Sequence, residues 1–197
     1  GALLEPGSTA TNPQVNDALG SLTDATNAVI NAMPLDCEFA ACVALTFDDG
    51  PIPEVTPWVL DILDKYGVKA TFFCVGDNVR KHPDIYQMVL DRGHRVGNHT
   101  YNHIQGLQYW TKNYLDNIEK AAEYIQSDLY RPPHGHMRFP QVVALRRKYK
   151  IIMWDVVTRD YSPHMTPNGV FNVVKNYTRN GSVIVFHDSL KAETNMR

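Results

Sequence analysis

The chain has no large excess of charge of either sign. It carries 19 Lys and Arg residues against 21 Asp and Glu, for a formal net charge of −2 at pH 7. Nucleic-acid binding needs a basic surface, so we expect no nucleic-acid partner. The sequence also lacks an apolar run of about 20 residues, the length that spans a bilayer, so we expect no membrane span. Residues 1–30 contain no Lys or Arg, and the basic segment of a signal peptide is therefore not visible.

Cysteine is scarce, at three residues in 197. Cys37 and Cys42 flank a short loop, and a disulfide between them would favour a location outside the cytoplasm. Reduced, unpaired thiols fit the sequence equally well. Cys74 lies within an apolar run and is predicted to be a buried free thiol. We expect a secreted or cell-envelope protein, with the cytoplasm as the alternative.

Two adjacent acids, Asp48 and Asp49, follow the apolar run 42–47. That run is typical of a buried strand, and Gly50 and Pro51 end it at once. Both carboxylates therefore lie at the carboxyl end of the strand, where α/β folds hold their active sites. Because like charges this close repel each other, a metal or another cation is implied.

Two histidines, His99 and His103, are four residues apart. This spacing puts both on one face if the segment turns helically. With one carboxylate they would make a zinc site of three protein ligands, which leaves a fourth position for water. The pair alone is weak evidence, because surface histidines near a turn give the same pattern by chance.

Three further clusters each follow an apolar run. Arg131, in the segment Arg131–Gly135, suits a carboxylate partner, although a solvated Arg in a Pro-rich turn fits as well. Asp155 and Asp160 follow the next run, and either could instead cap a helix. His187 ends the last run, where a lone histidine is more often structural than catalytic.

Taken in order, these clusters resemble the five motifs of the polysaccharide deacetylases with a NodB-homology domain, also called carbohydrate esterase family four. The matching segments are Thr46–Pro51, His99–His103, Arg131–Gly135, Asp155–Tyr161 and Val185–Asp188. The resemblance implies an α/β fold, a distorted, incomplete (β/α) barrel of parallel strands. The regular alternation of predicted strands and helices along the chain also favours a parallel sheet.

The resemblance also implies a role for each motif residue. The catalytic residues would be Asp48 as general base, Arg131 as the partner that keeps it ionised, His187 as general acid and Asp160 as the residue that orients His187. The metal ligands would be Asp49, His99 and His103. The residues that contact the substrate or its oxyanion would be His134, through its backbone N–H, Tyr161 and Val185.

Two of the motifs depart from the family pattern. His134 stands where Tyr or Phe is usual, which puts the subsite preference in doubt. In the fourth motif, Val157 and Tyr161 occupy the positions of a second acid and of Trp. Asp155 therefore stays the alternative to Asp160 as the partner of His187.

The function implied by the resemblance is hydrolysis of N-acetyl groups on an acetylated polysaccharide or oligosaccharide, such as a chitin-like oligomer or peptidoglycan. The cofactor would be one divalent metal, Zn²⁺, with Co²⁺ or Ni²⁺ as alternatives, and we expect a monomer. An O-acetyl esterase, a non-catalytic glycan-binding module and a structural metal protein are the alternative functions. Five aromatic residues that follow motif residues in predicted loops are candidates for stacking on sugar rings or for the core: Tyr101, Tyr109, Trp110, Phe139 and Tyr161.

We expect a single deacetylase domain over residues 37–197, short at its carboxyl end relative to the family, after an extension of residues 1–36. Within the extension, the apolar spacing of Pro13–Met33 predicts a helix that packs on the barrel, and a mobile leader is the alternative. The predicted helices of the domain are 56–66, 83–92, 111–127, 139–149 and 167–179. The predicted strands are 42–47, 70–75, a short one before His99, one at Leu129, 150–157 and 182–187.

Overall fold

The computed structural model describes residues 43–197. The predicted helix Pro13–Met33 and the pair Cys37 and Cys42 lie outside these residues. The strands are β1 (Ala44–Asp48), β2 (Thr71–Cys74), β3 (Arg95–Asn98), β4 (Leu129–Tyr130), β5 (Lys150–Ile151), β6 (Val156–Val157) and β7 (Val183–His187). They form one sheet in the order β5-β4-β3-β2-β1-β7-β6, and every pair of neighbours is parallel. The predicted parallel α/β architecture is confirmed.

The sheet must curl, because its two edge strands are close neighbours in the chain. Six spacings of about 4.8 Å would separate the edges of a flat seven-stranded sheet by about 29 Å. The five steps from Ile151 in β5 to Val156 in β6 span at most about 18 Å. Hydrogen bonds fix both ends of the connection between β5 and β6. The N–H of Ile152 donates to the carbonyl oxygen of Tyr130 at 2.9 Å, and the N–H of Asp155 donates to that of Val183 at 3.2 Å. The strands therefore form an incomplete barrel, and residues 152–155 bridge its gap.

The prediction of a single strand over residues 150–157 is wrong. The structure divides it into β5 and β6, which pair with opposite ends of the sheet. Apolar composition is the same on both sides of the break, so the pattern alone did not reveal it. Between the two strands, the carbonyl oxygens of Ile152 and Met153 accept hydrogen bonds from the Arg131 guanidinium, at 3.2 and 3.3 Å.

Seven helices accompany the sheet in the described part of the chain: α1 (Thr56–Lys65), α2 (Gly76–Lys81), α3 (Pro83–Asp91), α4 (Thr111–Ala122), α5 (Phe139–Leu145), α6 (Pro167–Tyr177) and α7 (Glu193–Met196). Proline lies in the first turn of α1, α3, α5 and α6, where the missing N–H costs no helical hydrogen bond. The short helices α2 and α7 were not predicted.

Two predicted helices, 111–127 and 139–149, are shorter in the structure. Ile125 and Tyr149 are buried from the turns that follow α4 and α5, so their apolar side chains extended the helical pattern without extending the helix. Both turns lead directly into the next strand.

The core lies along the central strands. All five residues of β1 are buried, and the ring of Phe47 stacks on Phe72 at 5.1 Å and on Phe186 at 5.6 Å between centroids. Cys74 is a buried free thiol, as predicted. Among residues 43–197, each helix is too short or too polar to cross a bilayer. The apolar packing holds the carboxyl ends of β1, β2, β3 and β7 in fixed register.

Candidate active site

The predicted site residues meet at one edge of the sheet because parallel strands end together. Asp48, the last residue of β1, is in register with His187, the last residue of β7. On the other side, Asn98 in β3 pairs with Tyr130 in β4, and His99 and Arg131 follow these two residues directly. Four of the five motifs therefore converge on the carboxyl edge of the barrel.

The three predicted metal ligands are brought together. Asp49 Oδ1 lies 3.1 Å from His103 Nε2 and 3.7 Å from His99 Nε2, and one donor atom from each residue lies within 4.8 Å of the others. Asp49 Oδ1 is buried and has no hydrogen-bond partner among the described residues. A buried carboxylate oxygen without a partner is costly. Two imidazole nitrogens and one carboxylate oxygen are a zinc-type set, so these residues fit one divalent cation.

The charge states of His99 and Asp49 suit metal binding. His99 Nδ1 lies 2.8 Å from the carbonyl oxygen of Arg131, and because a carbonyl only accepts, Nδ1 carries the proton and Nε2 keeps its lone pair. Burial lowers the pKa of His99 to about 4, despite the nearby Asp48 and Asp49. For Asp49, burial acts to raise the pKa, but the contact with His103, and the attraction to His99 once that residue is protonated at low pH, outweigh it and hold the pKa below its usual range.

The backbone at the site is strained. Four of its residues other than glycine have positive φ angles: Asp49 (82°), Thr100 (67°), His103 (57°) and His134 (59°). Such conformations cost a non-glycine residue about 1–2 kcal/mol each. Polar side chains hold two of them, since Asn78 Nδ2 donates to the Asp49 carbonyl at 2.7 Å and Asn98 Oδ1 accepts from the Thr100 N–H at 2.9 Å.

Asp188 fastens the turn that carries Asp49, and sequence reasoning gave it no role. Its Oδ1 accepts the N–H of Gly50 at 3.0 Å and its Oδ2 accepts the hydroxyl of Thr56 at 2.7 Å. A Cβ atom at Gly50 would lie 1.9 Å from Asp188 Oδ2, so only glycine fits there. Burial raises the pKa of Asp188 to about 8. In the sequence, the only sign of this role is that an acidic residue directly follows His187.

The predicted partner of Asp48 is Arg131. Its Nη1 donates to Asp48 Oδ1 at 2.7 Å and to Thr46 Oγ1 at 2.7 Å, and its side chain is fully buried. The guanidinium also lies 4.1 Å from the ring centroid of Phe73. Asp48 Oδ2 lies 4.0 Å from His99 Nε2. One carboxylate oxygen is therefore fixed by Arg131, while the other faces the metal ligands.

The structure pairs His187 with Asp160. His187 Nδ1 lies 2.7 Å from Asp160 Oδ1, and the backbone N–H of His187 donates to Asp160 Oδ2 at 2.7 Å. Burial by itself would lower the pKa of His187, but the Asp160 carboxylate outweighs it and raises that pKa. The alternative partner, Asp155, accepts the Val183 N–H at 2.7 Å, at the opposite end of β7, so it cannot reach His187.

The predicted substrate residues lie at different depths. The ring of His134 contacts His103 edge-to-face at 4.9 Å, and the exposed ring of Tyr161 contacts His187 at 4.8 Å. Val185 is 1% exposed and lies two residues before His187, on the same face of β7. Tyr101 is buried beneath Lys120, which assigns it to the core. Contact of the other three with a substrate stays a prediction.

Comparison with known proteins finds one family and a set of related structures. The sequence profile of the family described as "Polysaccharide deacetylase" matches residues 37–152. A peptidoglycan-N-acetylglucosamine deacetylase of Bacillus cereus is 36% identical over 154 residues, which cover 75% of this chain and 56% of that protein. A chitooligosaccharide deacetylase of Bradyrhizobium is 33% identical, over 74% of this chain and 70% of that protein. The chain thus spans only about half of the first relative.

Solved structures share the fold. The structure of the peptidoglycan deacetylase PdaC from Bacillus subtilis matches with a TM-score of 0.72 and 31% identity, over 78% of this chain and 77% of that one. A Bacillus anthracis protein described as a pseudoenzyme of carbohydrate esterase family 4 matches with a TM-score of 0.70 and 26% identity, over 79% of this chain and 58% of that one. The incomplete parallel barrel is therefore a scaffold that these proteins have in common.

Proposed function

The chain belongs to the polysaccharide deacetylase family, and from this premise we propose that it hydrolyses N-acetyl groups on a glycan of the chitin or peptidoglycan kind. The observation that supports this most directly is the register of Asp48 with His187 beside the open donor set of Asp49, His99 and His103. Amide hydrolysis needs a base for water and an acid for the leaving nitrogen, and the site provides a candidate for each.

Asp49, His99 and His103 would hold the metal. A zinc ion bound there would polarise the acetyl carbonyl and make water more acidic. Zn²⁺ is the proposed ion because imidazole and carboxylate ligands suit it, and Co²⁺ or Ni²⁺ can occupy similar sites.

Asp48 is the proposed general base. It takes a proton from the attacking water while the water oxygen bonds to the acetyl carbon. Arg131 holds one oxygen of Asp48 at 2.7 Å, so the other oxygen is the one that receives the proton. The backbone N–H of His134 is the proposed donor to the oxyanion that forms on the carbonyl.

His187 is the proposed general acid. An amine leaves only after its nitrogen is protonated, since the intermediate otherwise expels water again. Nδ1 of His187 is engaged by Asp160, which leaves Nε2 to give its proton to the nitrogen as the C–N bond breaks. The products are acetate and a free amino sugar, and the proton that Asp48 accepted balances the one that His187 gave.

The deciding experiment measures acetate release by the zinc-loaded protein from acetylated chitooligosaccharides, peptidoglycan and O-acetylated glycans, with and without chelator. We expect release from an N-acetylated glycan that the chelator abolishes. Asp48→Asn should lower kcat by about 10²–10⁴ with zinc still bound. The matched control is Asp155→Asn, which changes an acid that contacts β7 at the end opposite His187. Full activity of Asp48→Asn would contradict the assignment of the base.

A second candidate function is glycan binding without turnover. One observation favours it, the structural likeness to the Bacillus anthracis protein. That protein has a similar fold and is described as a pseudoenzyme. This alternative predicts affinity for acetylated glycans and no acetate release with either zinc or cobalt. Release only from O-acetylated glycans would instead identify an esterase.

A further inference from the structure

Two large aromatic side chains project from the rim of the candidate site. Trp110 is 75% exposed and Phe139 is 79% exposed. They lie on the segments that follow β3 and β4, downstream of His103 and His134 respectively. Exposed aromatic rings on otherwise polar loops commonly mark binding surfaces.

Trp110 is held in place by Arg138. The Arg138 guanidinium carbon lies 5.3 Å from the centroid of the Trp110 ring. Its Nε and Nη2 both donate to the carbonyl oxygen of Leu107, at 3.2 and 2.7 Å. The guanidinium lies over the indole ring, and Trp110 is still 75% exposed to solvent.

The two segments are also clamped to each other by a buried side chain. Gln141 is fully buried, and its Nε2 donates to the carbonyl oxygens of Gly106 at 2.9 Å and Tyr109 at 3.1 Å. The approach is so close that a Cβ atom at Gly106 would lie 2.6 Å from the carbonyl oxygen of His136. A rigid, preorganised aromatic surface loses little entropy on binding.

This surface is continuous with the metal ligands. The ring of His134 contacts the ring of metal ligand His103, and Gln105 is hydrogen-bonded to His136. The same two segments therefore form both the wall of the metal pocket and the aromatic rim. A polymer with one sugar at the metal must continue along a neighbouring surface, and this rim is such a surface.

We propose that the exposed face of Trp110 is a subsite for a pyranose ring of the same glycan chain, away from the sugar that is deacetylated. The inference rests on the proposed function. A β-linked pyranose presents a face of C–H groups, which packs on the electron-rich face of an aromatic ring. Such rings are present in both chitin-like oligomers and peptidoglycan strands. The subsite would make the protein prefer long chains over short ones.

The test compares kcat/KM for N-acetylated chitooligosaccharides from dimer to hexamer, using the zinc-loaded protein. In Trp110→Ala we expect the ratio of hexamer to dimer to fall about tenfold, which corresponds to about 1.4 kcal/mol, mainly through a higher KM. Arg138→Ala should move the ratio in the same direction, and Trp110→Phe should restore most of it. The matched control is Tyr177→Ala, an aromatic residue in α6 that is 69% exposed, which should leave the ratio unchanged. The same comparison with peptidoglycan strands shows which of the two glycans, chitin-like oligomer or peptidoglycan, supplies the pyranose ring.

An unchanged ratio in Trp110→Ala, or an equal loss at every chain length, would overturn the subsite. If the protein releases no acetate, binding of the hexamer by calorimetry replaces kinetics. A roughly tenfold weaker affinity in Trp110→Ala then supports the subsite even though the proposed activity has failed, and equal affinity rejects it.

Discussion

The metal side and the acid side of the site each depend on a histidine at the carboxyl end of a strand, yet the two imidazoles are tuned in opposite directions. His99 is buried and His187 is mostly buried, with side chains 2% and 14% exposed. Nδ1 of His99 lies 2.8 Å from a carbonyl oxygen, and Nδ1 of His187 lies 2.7 Å from the Asp160 carboxylate. The pKa of His99 is lowered to about 4 by burial, whereas that of His187 is raised because Asp160 outweighs burial. The charge of the partner atom, more than burial, separates them.

The difference matches the two proposed roles. A metal ligand must offer a lone pair, so a neutral His99 is favourable. A general acid must carry a proton at the working pH, so a raised pKa at His187 is favourable. The same side chain thus serves two purposes, depending on what its second nitrogen contacts.

Replacing each histidine by alanine should give the largest effects and should distinguish the metal side from the acid side. His99→Ala is expected to lose bound zinc and at least about 10³ of the activity, because several kcal/mol of transition-state stabilisation depend on the ion. His187→Ala is expected to retain zinc and still lose about 10²–10⁴ of the activity. The measurements are zinc content after dialysis and acetate release. Equal loss of zinc in both variants would remove the distinction between the sides.

Replacing Asp160, the charged partner of His187, should change the acid side of the site alone. In Asp160→Asn the pKa of His187 is expected to fall, because the carboxylate that raises it is gone. His187 then loses its proton at lower pH, so the alkaline limb of the profile of kcat/KM moves to lower pH. A shift of one unit corresponds to about tenfold less activity on that limb. Asp155→Asn should leave the limb in place, and an unmoved limb in Asp160→Asn would contradict the pairing.

His94 isolates the effect of burial, since it lies away from the site. Its Nδ1 accepts the N–H of Ala70 at 3.2 Å, and burial lowers its pKa to about 4. The unfolded chain, with a His pKa of about 6.5, binds more protons between these values, so stability falls as the pH drops from about 6.5 to about 4. Between pH 7 and pH 5 this histidine should cost about 2 kcal/mol.

The smallest predicted effect follows from replacing this residue. His94→Gln keeps an acceptor for Ala70 and does not titrate, so urea unfolding of the zinc-loaded variant should show about 2 kcal/mol less loss between pH 7 and pH 5 than the parent. Acetate release should not change. An identical loss in both proteins would mean that His94 is not buried in its neutral form.

The sequence allowed the position of the site to be predicted because polar residues ended apolar runs. Asp48 and His187 are the last residues of β1 and β7, and the carboxyl ends of parallel strands necessarily meet. The separate roles of Asp48 and Asp49 came only from the family resemblance. Two neighbouring carboxylates look alike until the structure shows which of them faces Arg131.

What was missed depends on contacts between distant parts of the chain. Asp188 and Gly50 are 138 residues apart, and the donors on Arg131 that hold residues 152–153 come from another motif. Periodicity reports local burial and says nothing about such partners. The hydrogen bonds from Gln141 to the carbonyl oxygens of Gly106 and Tyr109 could not be predicted for the same reason.

The left-handed residues around the metal ligands have a consequence for laboratory evolution. Glycine adopts positive φ without steric penalty, so the metal ligands Asp49 and His103 are positions where a glycine codon would relieve local torsional energy. A screen that rewards heat resistance alone should therefore enrich glycine at these codons and yield robust but inactive descendants. Selection for turnover has to be applied in the same round to keep the side chains that the chemistry uses.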